Sequence, residues 1–506
     1  MTHSNSTPTT LLGLLSAAQA DRIAVIQPEL NVSLTYGALR HQVATVASAL
    51  AAAGVGRGDR VGMALPNGIP NIVTFLAASI AGTAAPLNPG YKEDEFRFYL
   101  EDTNAKVLLL PPDGVDEARR AAGDTVPIIT VNMDAAGTVS LAGVAPGEPV
   151  PMPSIDETAL VLHTSGSTGR PKRVPLSHAN LSISAGNVAR SYALSQDDVA
   201  VCVMPLFHVH GLVASTLATL STGGTVVVPG KFSPLSFWRI AQEVGATWYS
   251  AVPTIHQLLL ARVTAGAPKP AGAAKLRFIR SCSASLPPQV MHDLEAAFGA
   301  PVLEAYGMTE AAHQMSSNPL PPAPHLPGSV GVGTDVGITI RDGEGRALAS
   351  GERGEVCITG PNVNTGYENN PEANATAFFE GGWFRTGDQG VLDQNGYLTL
   401  VGRLKEMINR GGEKISPREI DEVLLTHPAV AEAVCFGVAH ATWGEEVAAA
   451  VQLREPVTEA ELLAFCKERL AEFKRPKKIH ITDAIPRTAT GKIQRRVVAQ
   501  VYAQQG

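Results

Sequence analysis

Cysteine is scarce in this chain: Cys202, Cys282, Cys357, Cys435 and Cys466 are the only five in 506 residues, widely spaced and without a CxxC pair. That excludes a disulfide scaffold and a thiolate zinc cluster, and predicts reduced, mostly buried thiols in a reducing compartment. Excess positive charge is missing as well. Forty Lys and Arg against 47 Asp and Glu leave a formal charge of −7, so no global field draws nucleic acid or an anionic membrane. An anionic substrate must then be held by local donors. Long unbroken apolar runs are also lacking. The longest, around 72–86, is interrupted by Thr74, Ser79, Gly82 and Thr83, and predicts a buried helix running into a strand, not a membrane span. The early stretch LLGLLSAAQA has no Lys or Arg before it and is followed by Asp21-Arg22, which predicts a first helix in place of a signal core. The last residues carry no peroxisomal or retention tripeptide, so the cytoplasm is the expected location. Oligomeric state is expected to be monomer or homodimer.

What is present is a chain with 45% apolar residues, too long for one ordinary core and expected to form at least two domains. Strand-like runs alternate with helical ones: GDRVGMAL, a helix-length apolar segment, TAAPLN, a polar helix, AKVLLLP. The rhythm returns in GTVVVPG, ATWYSAVP, LRFIRSCSAS and APVLEAYG. That alternation predicts α/β architecture, with βαβ units around a largely parallel sheet. From about Gly351 the pattern changes to short strands with Gly and Asn turns, and a compact α+β segment follows Arg403. Ser416-Pro417-Arg418-Glu419 and Thr458-Glu459-Ala460-Glu461 both read as capping boxes that open helices. The boundary is placed at Gly402–Lys405, separating residues 1–401 from 406–506.

Four segments carry chemistry. Thr164-Ser165-Gly166-Ser167-Thr168-Gly169-Arg170-Pro171-Lys172 follows the apolar strand ALVLH. Its glycines let backbone approach a phosphate, to which hydroxyls, N–H groups and Lys172 donate. A P-loop would need Gly-Lys-Ser/Thr opening a helix, and Pro171 stands where that helix should begin. A solvated turn has the same composition. Tyr306-Gly307-Met308-Thr309-Glu310 puts a hydroxyl and a carboxylate at a strand end, suited to phosphate and Mg²⁺, with an aromatic face for a base. Asp388, in Trp383-Phe384-Arg385-Thr386-Gly387-Asp388, suits a vicinal diol. Lys492, in PRTATGKI, could neutralise an oxyanion and an α-phosphate. Each of the last three also has a bland reading, as an ordinary turn or a solubilising charge.

Together and in this order, the segments resemble the adenylate-forming superfamily of acyl-CoA synthetases, adenylation domains and luciferases, over essentially the whole chain. The family loop is usually written TSGTTGxPKG; here it reads TSGSTGRPKR, with Arg173 in place of the last glycine. The resemblance implies a large N-terminal domain of βαβ-derived mixed sheets with a small barrel-like subdomain, and a mobile α+β C-terminal domain. It implies AMP-forming ligation with ATP, Mg²⁺ and coenzyme A. Thr164, Ser165, Gly166, Ser167, Thr168 and Lys172 would hold the β- and γ-phosphates. Thr309 and Glu310 would bind phosphate and metal. Ser283, Ala284 and Ser285, with Ala305, Tyr306 and Gly307, would line the adenine site. Asp388 and Arg403 would bind ribose. Lys492 would serve adenylation and Lys405 would be the hinge. Lys414, Lys474 and Arg475 are guesses for the CoA nucleotide.

The acid is suggested by Pro205-Leu206-Phe207-His208-Val209-His210-Gly211, which matches the segment walling the acyl site. Relatives taking aryl or fatty acids generally have an apolar or aromatic residue near His210. With His313 just beyond Glu310, Ser283, and Arg280 as a further candidate, the pocket suits a short, doubly charged acid. His208 and His210 could instead be structural, or His208 a gate to the pantetheine tunnel. SCSASL, EAYGMTEAAHQMSSNPLPP and INRGGEKISPREIDEVLLTHPAV are similar to the oxalate–CoA ligases specifically. Malonate-type relatives tend to carry an arginine where Ala305 stands. Oxalate is the expected acid, with malonate or another short acid as alternative. Loading of a carrier protein is the alternative of another class.

Overall fold

The computed structural model describes residues 7–164, 171–263, 268–488 and 491–503. The βαβ alternation builds two large sheets. One runs in the order Val139–Leu141, Ile128–Met133, Ala105–Leu110, Arg60–Met63, Thr83–Pro86, Thr158–Thr164, Lys172–Ser177. Its five central strands are parallel, and each edge is closed by an antiparallel partner. The second has nine strands, parallel from Val302–Met308 through Phe278–Ser281, Trp248–Ala251, Val199–Cys202 and Thr225–Val227 to Ile23–Gln27, with antiparallel strands at both edges.

The run at 72–86 resolves as expected, into the helix Ile69–Ala81 followed by the strand Thr83–Pro86. All of that helix but Pro70 is buried. A helix apolar on nearly every side is stable in water only when covered all round, and its apolar side chains sit in the largest hydrophobic cluster, with strand residues of both sheets such as Val25, Leu109 and Leu160. The LLGLLSAAQA stretch is less regular than expected. It makes one helical turn, Leu11–Leu14, and a 3₁₀ turn, Leu15–Ala17. Among the described residues no helix is long and apolar enough to cross a membrane.

A five-stranded antiparallel sheet, Gly337–Arg341, Arg353–Thr359, Phe378–Phe379, Trp383–Leu392 and Leu398–Arg403, spans the change of pattern expected near Gly351 and begins one strand before it. The 3₁₀ turn Leu404–Glu406 then leads into a separate sheet of Ile408–Arg410, Glu413–Ile415, Val430–His440, Gly444–Leu453 and Lys478–Ile481. This last unit has its own core, including Ile420, Val430, Val447, Leu462 and Ile479.

Of the two expected capping boxes only Thr458/Glu461 forms, with reciprocal side-chain bonds. Ser416 stands at the helix start and Pro417 at the first helical position, but Ser416 makes no cap bond. Its hydroxyl donates instead to the Val401 carbonyl, 2.6 Å away, and Glu419 accepts from Lys474 at 2.6 and 2.8 Å. A half-buried carbonyl of the preceding strand takes the hydroxyl that the local cap would use. Arg418 adds a bond to the Leu400 carbonyl. Both contacts tie the C-terminal unit to the large one.

Candidate functional site

The glycine-rich segment is flanked by two paired strands. Strands Thr158–Thr164 and Lys172–Ser177 pair antiparallel, with Thr164 opposite Lys172, so Lys172 opens a strand and a P-loop is excluded. Ser165, Gly166, Ser167 and Thr168, assigned above to the phosphates, lie outside the described residues. Arg173, the departure from the family pattern, turns to Asp102 (3.1 Å) and also bonds the Asp102 carbonyl (2.6 Å). Lys172 lies 4.3 Å from the centre of the Tyr367 ring. The Tyr367 hydroxyl donates to Glu310 Oε1 at 2.9 Å, so cation, ring and carboxylate form one corner. Burial lowers the Lys172 pKa, against the pull of Glu310, while it raises that of Glu310.

Glu310 is held by the strand Val302–Met308 and the 3₁₀ turn Thr309–Ala311. Gly307 has no substitute here: a Cβ would come within 2.1 Å of the His313 carbonyl oxygen. One strand turn earlier, the Tyr306 hydroxyl donates to Asp388 Oδ2, and Arg403 Nε lies 3.3 Å from Asp388 Oδ1. Burial raises the Asp388 carboxyl above the usual range, partly offset by Arg403. Lys405 follows in the 3₁₀ turn, close enough to influence Lys172.

Lys492 comes from the C-terminal unit. Thr488 and Lys492 exchange backbone and side-chain bonds of 2.8 and 3.1 Å, and a Cβ on Gly491 would lie 3.1 Å from Thr254 Oγ1 of the large unit. The amine is therefore docked over the ends of the parallel strands, where burial first and Arg403 second lower its pKa. Lys492 also adds to the burial that pushes His208 down to about 3.

Beneath the lysine is a polar cluster with almost no water contact. His210, at the start of the buried π-helix His210–Leu217, is 0% exposed and His313 is 2% exposed. Their rings meet edge-on at 5.2 Å. His210 Nδ1 is 3.0 Å from Ser283 Oγ and Nε2 is 2.6 Å from Ser250 Oγ. Burial lowers both histidine pKa values well below the usual range, and Arg280 lowers them further, so both rings are neutral. Arg280 is itself 0% exposed. It donates to Tyr192 (2.9 Å), Ser250 (3.0 Å) and Gln314 (3.0 Å), and no carboxylate pairs with it among the described residues. His313 Nδ1 is buried without a partner. Ser283 (φ 74°), Ala312 (φ 51°) and His313 (φ 123°) adopt backbone conformations rare outside glycine, a strain that persists only where surroundings enforce it.

The structure thus brings together Thr164, Lys172, Tyr306, Thr309, Glu310, Asp388, Arg403 and Lys492 at the strand ends, where open α/β sheets bind ligands. Ala305 is buried, Ala284 exposed and Ser285 half-buried on the same rim. Ser283 points its hydroxyl to His210, which places it with the histidines. Lys474 is engaged with Glu419, and Arg475 Nε donates to the Leu470 carbonyl at 2.9 Å. Sequence reasoning missed Ser250, Gln314, Tyr192 and Tyr367. Gln314 lay within the stretch EAYGMTEAAHQMSSNPLPP without a role of its own; for the buried cluster the available signal was an arginine in the middle of an apolar strand, FIRS, which demands partners from neighbouring strands.

Residues 15–368 match the AMP-binding enzyme family and residues 419–492 the AMP-binding enzyme C-terminal domain. The oxalate–CoA ligase of Arabidopsis thaliana is 50% identical, over 93% of this chain and 94% of that protein. The oxalate–CoA ligase of Saccharomyces cerevisiae is 43% identical over 96% and 95%. Among solved structures, ATP-bound MatB from Rhodopseudomonas palustris superposes with a TM-score of 0.90 at 30% identity, covering 99% of this chain and 100% of that one. The apo form of the same protein gives 0.79, so the domain arrangement here is nearer the ATP-bound one. From strand order, site and sequence alike, this chain belongs to the AMP-binding enzyme family.

Proposed function

We propose that the chain is an AMP-forming oxalate–CoA ligase, acting on oxalate, ATP and coenzyme A. The observation that carries the reading is the cluster of buried His210, His313 and Arg280 with half-buried Ser283, which has donors, a net positive charge and, among the described residues, no acid of its own. A buried guanidinium without a counter-charge is costly, and a small dianion supplies the missing partner. The two oxalate–CoA ligases, similar over nearly the full chain, support the same acid. The five cysteines, all free and buried, support a reducing, cytoplasmic setting.

On this reading Lys172 and Thr164 serve the β- and γ-phosphates, Tyr306 and its strand the adenine, and Asp388 and Arg403 the ribose. Mg²⁺ fits this donor set. Glu310 offers one buried carboxylate, and the oxygen ligands that Mg²⁺ prefers would be completed by nucleotide phosphates and water. Bound beside Glu310 and Thr309, it would neutralise charge on the departing pyrophosphate.

One carboxylate oxygen of the acid attacks the α-phosphorus, the bond to the β-phosphate oxygen breaks, and the acyl-adenylate forms. Lys492, docked above the cluster, offers positive charge to the reacting carboxylate and α-phosphate as negative charge shifts. In the second step the CoA thiolate attacks the acyl carbon and AMP leaves. The distal carboxylate rests on Ser283 and His313 throughout. The test is AMP release with a panel of acids, with and without CoA. Oxalate should lead and should require CoA for turnover; an acid without a second carboxylate leading the panel refutes the reading.

A further inference from the structure

We propose that Arg280, which lies behind the pocket wall, is the positioning residue that turns Ser283 into a hydrogen-bond donor toward the distal carboxylate, through Ser250 and His210. The inference rests on the substrate reading above and concerns the direction of each hydrogen bond.

A guanidinium can only donate. Arg280 spends Nε on Tyr192, Nη2 on Gln314 and Nη1 on Ser250, and Nη1 also faces His210 Nε2 at 3.4 Å. Ser250 Oγ therefore accepts from Arg280, and its single hydrogen is left for His210 Nε2, 2.6 Å away. A hydrogen on Nε2 would oppose both the serine hydrogen and the arginine N–H, so Nε2 carries the lone pair. In a neutral imidazole the hydrogen must then sit on Nδ1. That nitrogen donates to Ser283 Oγ at 3.0 Å. With its oxygen accepting from His210, Ser283 has one hydrogen remaining, and it is free to point into the pocket.

The opposite tautomer would make Ser283 spend its hydrogen on Nδ1 and turn lone pairs toward an anion. Ser283 is held in its left-handed conformation, φ 74°, so the backbone does not swing to correct the mismatch. Gln314 is fixed in turn by Ser191 at 3.0 Å, and Tyr192 by Ser317 at 2.6 Å, which holds the guanidinium in one orientation. The charge of Arg280 and the tautomer it selects thus act in the same direction, favouring an acid with a second carboxylate.

The experiment compares wild type, Ser250→Ala, Arg280→Met and Arg280→Lys. The KM values for oxalate and for ATP are measured, and the tautomer of His210 is read from ¹⁵N shifts of histidine-labelled protein. Arg280→Met should raise the oxalate KM by roughly 10²-fold, with the ATP KM within about threefold. Ser250→Ala, a small change that keeps the charge, should raise it by roughly 10-fold and shift His210 toward the Nε2–H tautomer. Arg280→Lys should recover part of the oxalate KM. If Arg280→Met fails to fold, Ser250→Ala and the ¹⁵N shifts decide. Equal rises in the KM for oxalate and for ATP, or a wild-type His210 with its hydrogen on Nε2, overturn the relay. A wild-type enzyme that does not turn over oxalate overturns the substrate reading as well, and is distinguished by that control.

Discussion

Replacing Lys492 by alanine tests the largest mechanistic commitment, that one docked side chain serves adenylation alone. The amine reaches the site from a separately folded unit, on a loop whose shape depends on backbone and Thr488 bonds, not on the lysine side chain. The variant should therefore fold and melt like wild type. A unit charge about 4 Å from developing negative charge is worth about 4 kcal/mol at an effective dielectric near 20. Arg403 and Lys172 remain nearby and retain part of that stabilisation. The expected loss is about 10²–10³ in the rate of pyrophosphate release from oxalate and ATP, similar to removing one oxyanion donor. The assay is paired: pyrophosphate release for the first half-reaction, and thioester formation from chemically prepared oxalyl-adenylate and CoA for the second. The second rate should fall by less than about threefold, because the lysine has no role once the adenylate exists. Equal losses in both halves, or a lower melting temperature, would show the residue to be structural.

Acid size gives another test: kcat/KM should rank oxalate above malonate, with acetate and octanoate near background. The extra methylene of malonate costs about 1–3 kcal/mol, whereas an acid that leaves the donors unpaired is rejected by up to about 10⁴–10⁵; octanoate ahead of oxalate would sink the polar-floor argument. His210→Leu and His313→Ala should each raise the oxalate KM far more than the ATP KM, and wild-type kinetics in both would remove the histidines from the pocket. Both rings are held neutral, so the wild-type oxalate KM should stay flat as pH falls from 8 to 6; a fall in KM through pH 6.5 would mean that an imidazole gains a proton there. Burial pushes the Glu304 carboxyl up from 4.5 to about 7. The folded chain thus holds that proton more tightly than the unfolded one, and the stability this gives is complete below pH 4.5 and lost as pH rises through 7. Glu304→Gln should raise the melting temperature at pH 8, by the equivalent of at most about 3 kcal/mol, and leave it unchanged at pH 4.5; calorimetry at the two values decides.

The sequence by itself determined whatever is local in the chain. The largely apolar run at 72–81 had to be a covered helix, Pro171 ruled out a P-loop before the strand pairing was visible, and Thr458 with Glu461 capped their helix as spacing required. The segments around Lys172, Glu310, Asp388 and Lys492 were legible because each packs its reactive groups into a few consecutive residues. Tertiary structure decided the rest. Ser416 lost its capping role to a carbonyl 15 residues earlier in the chain, a partner no local pattern could name. The buried polar cluster joins Tyr192, His210, Ser250, Arg280 and His313 from five separate parts of the chain. Their meeting follows from the order in which the strands Val199–Cys202, Trp248–Ala251, Phe278–Ser281 and Val302–Met308 lie side by side. Hydrophobic periodicity tells which residues face inward but not which strands are neighbours. An arginine buried in the middle of such a sheet can be recognised in the sequence; what it donates to, and through that which acid the pocket favours, is set by the neighbours that only the fold supplies.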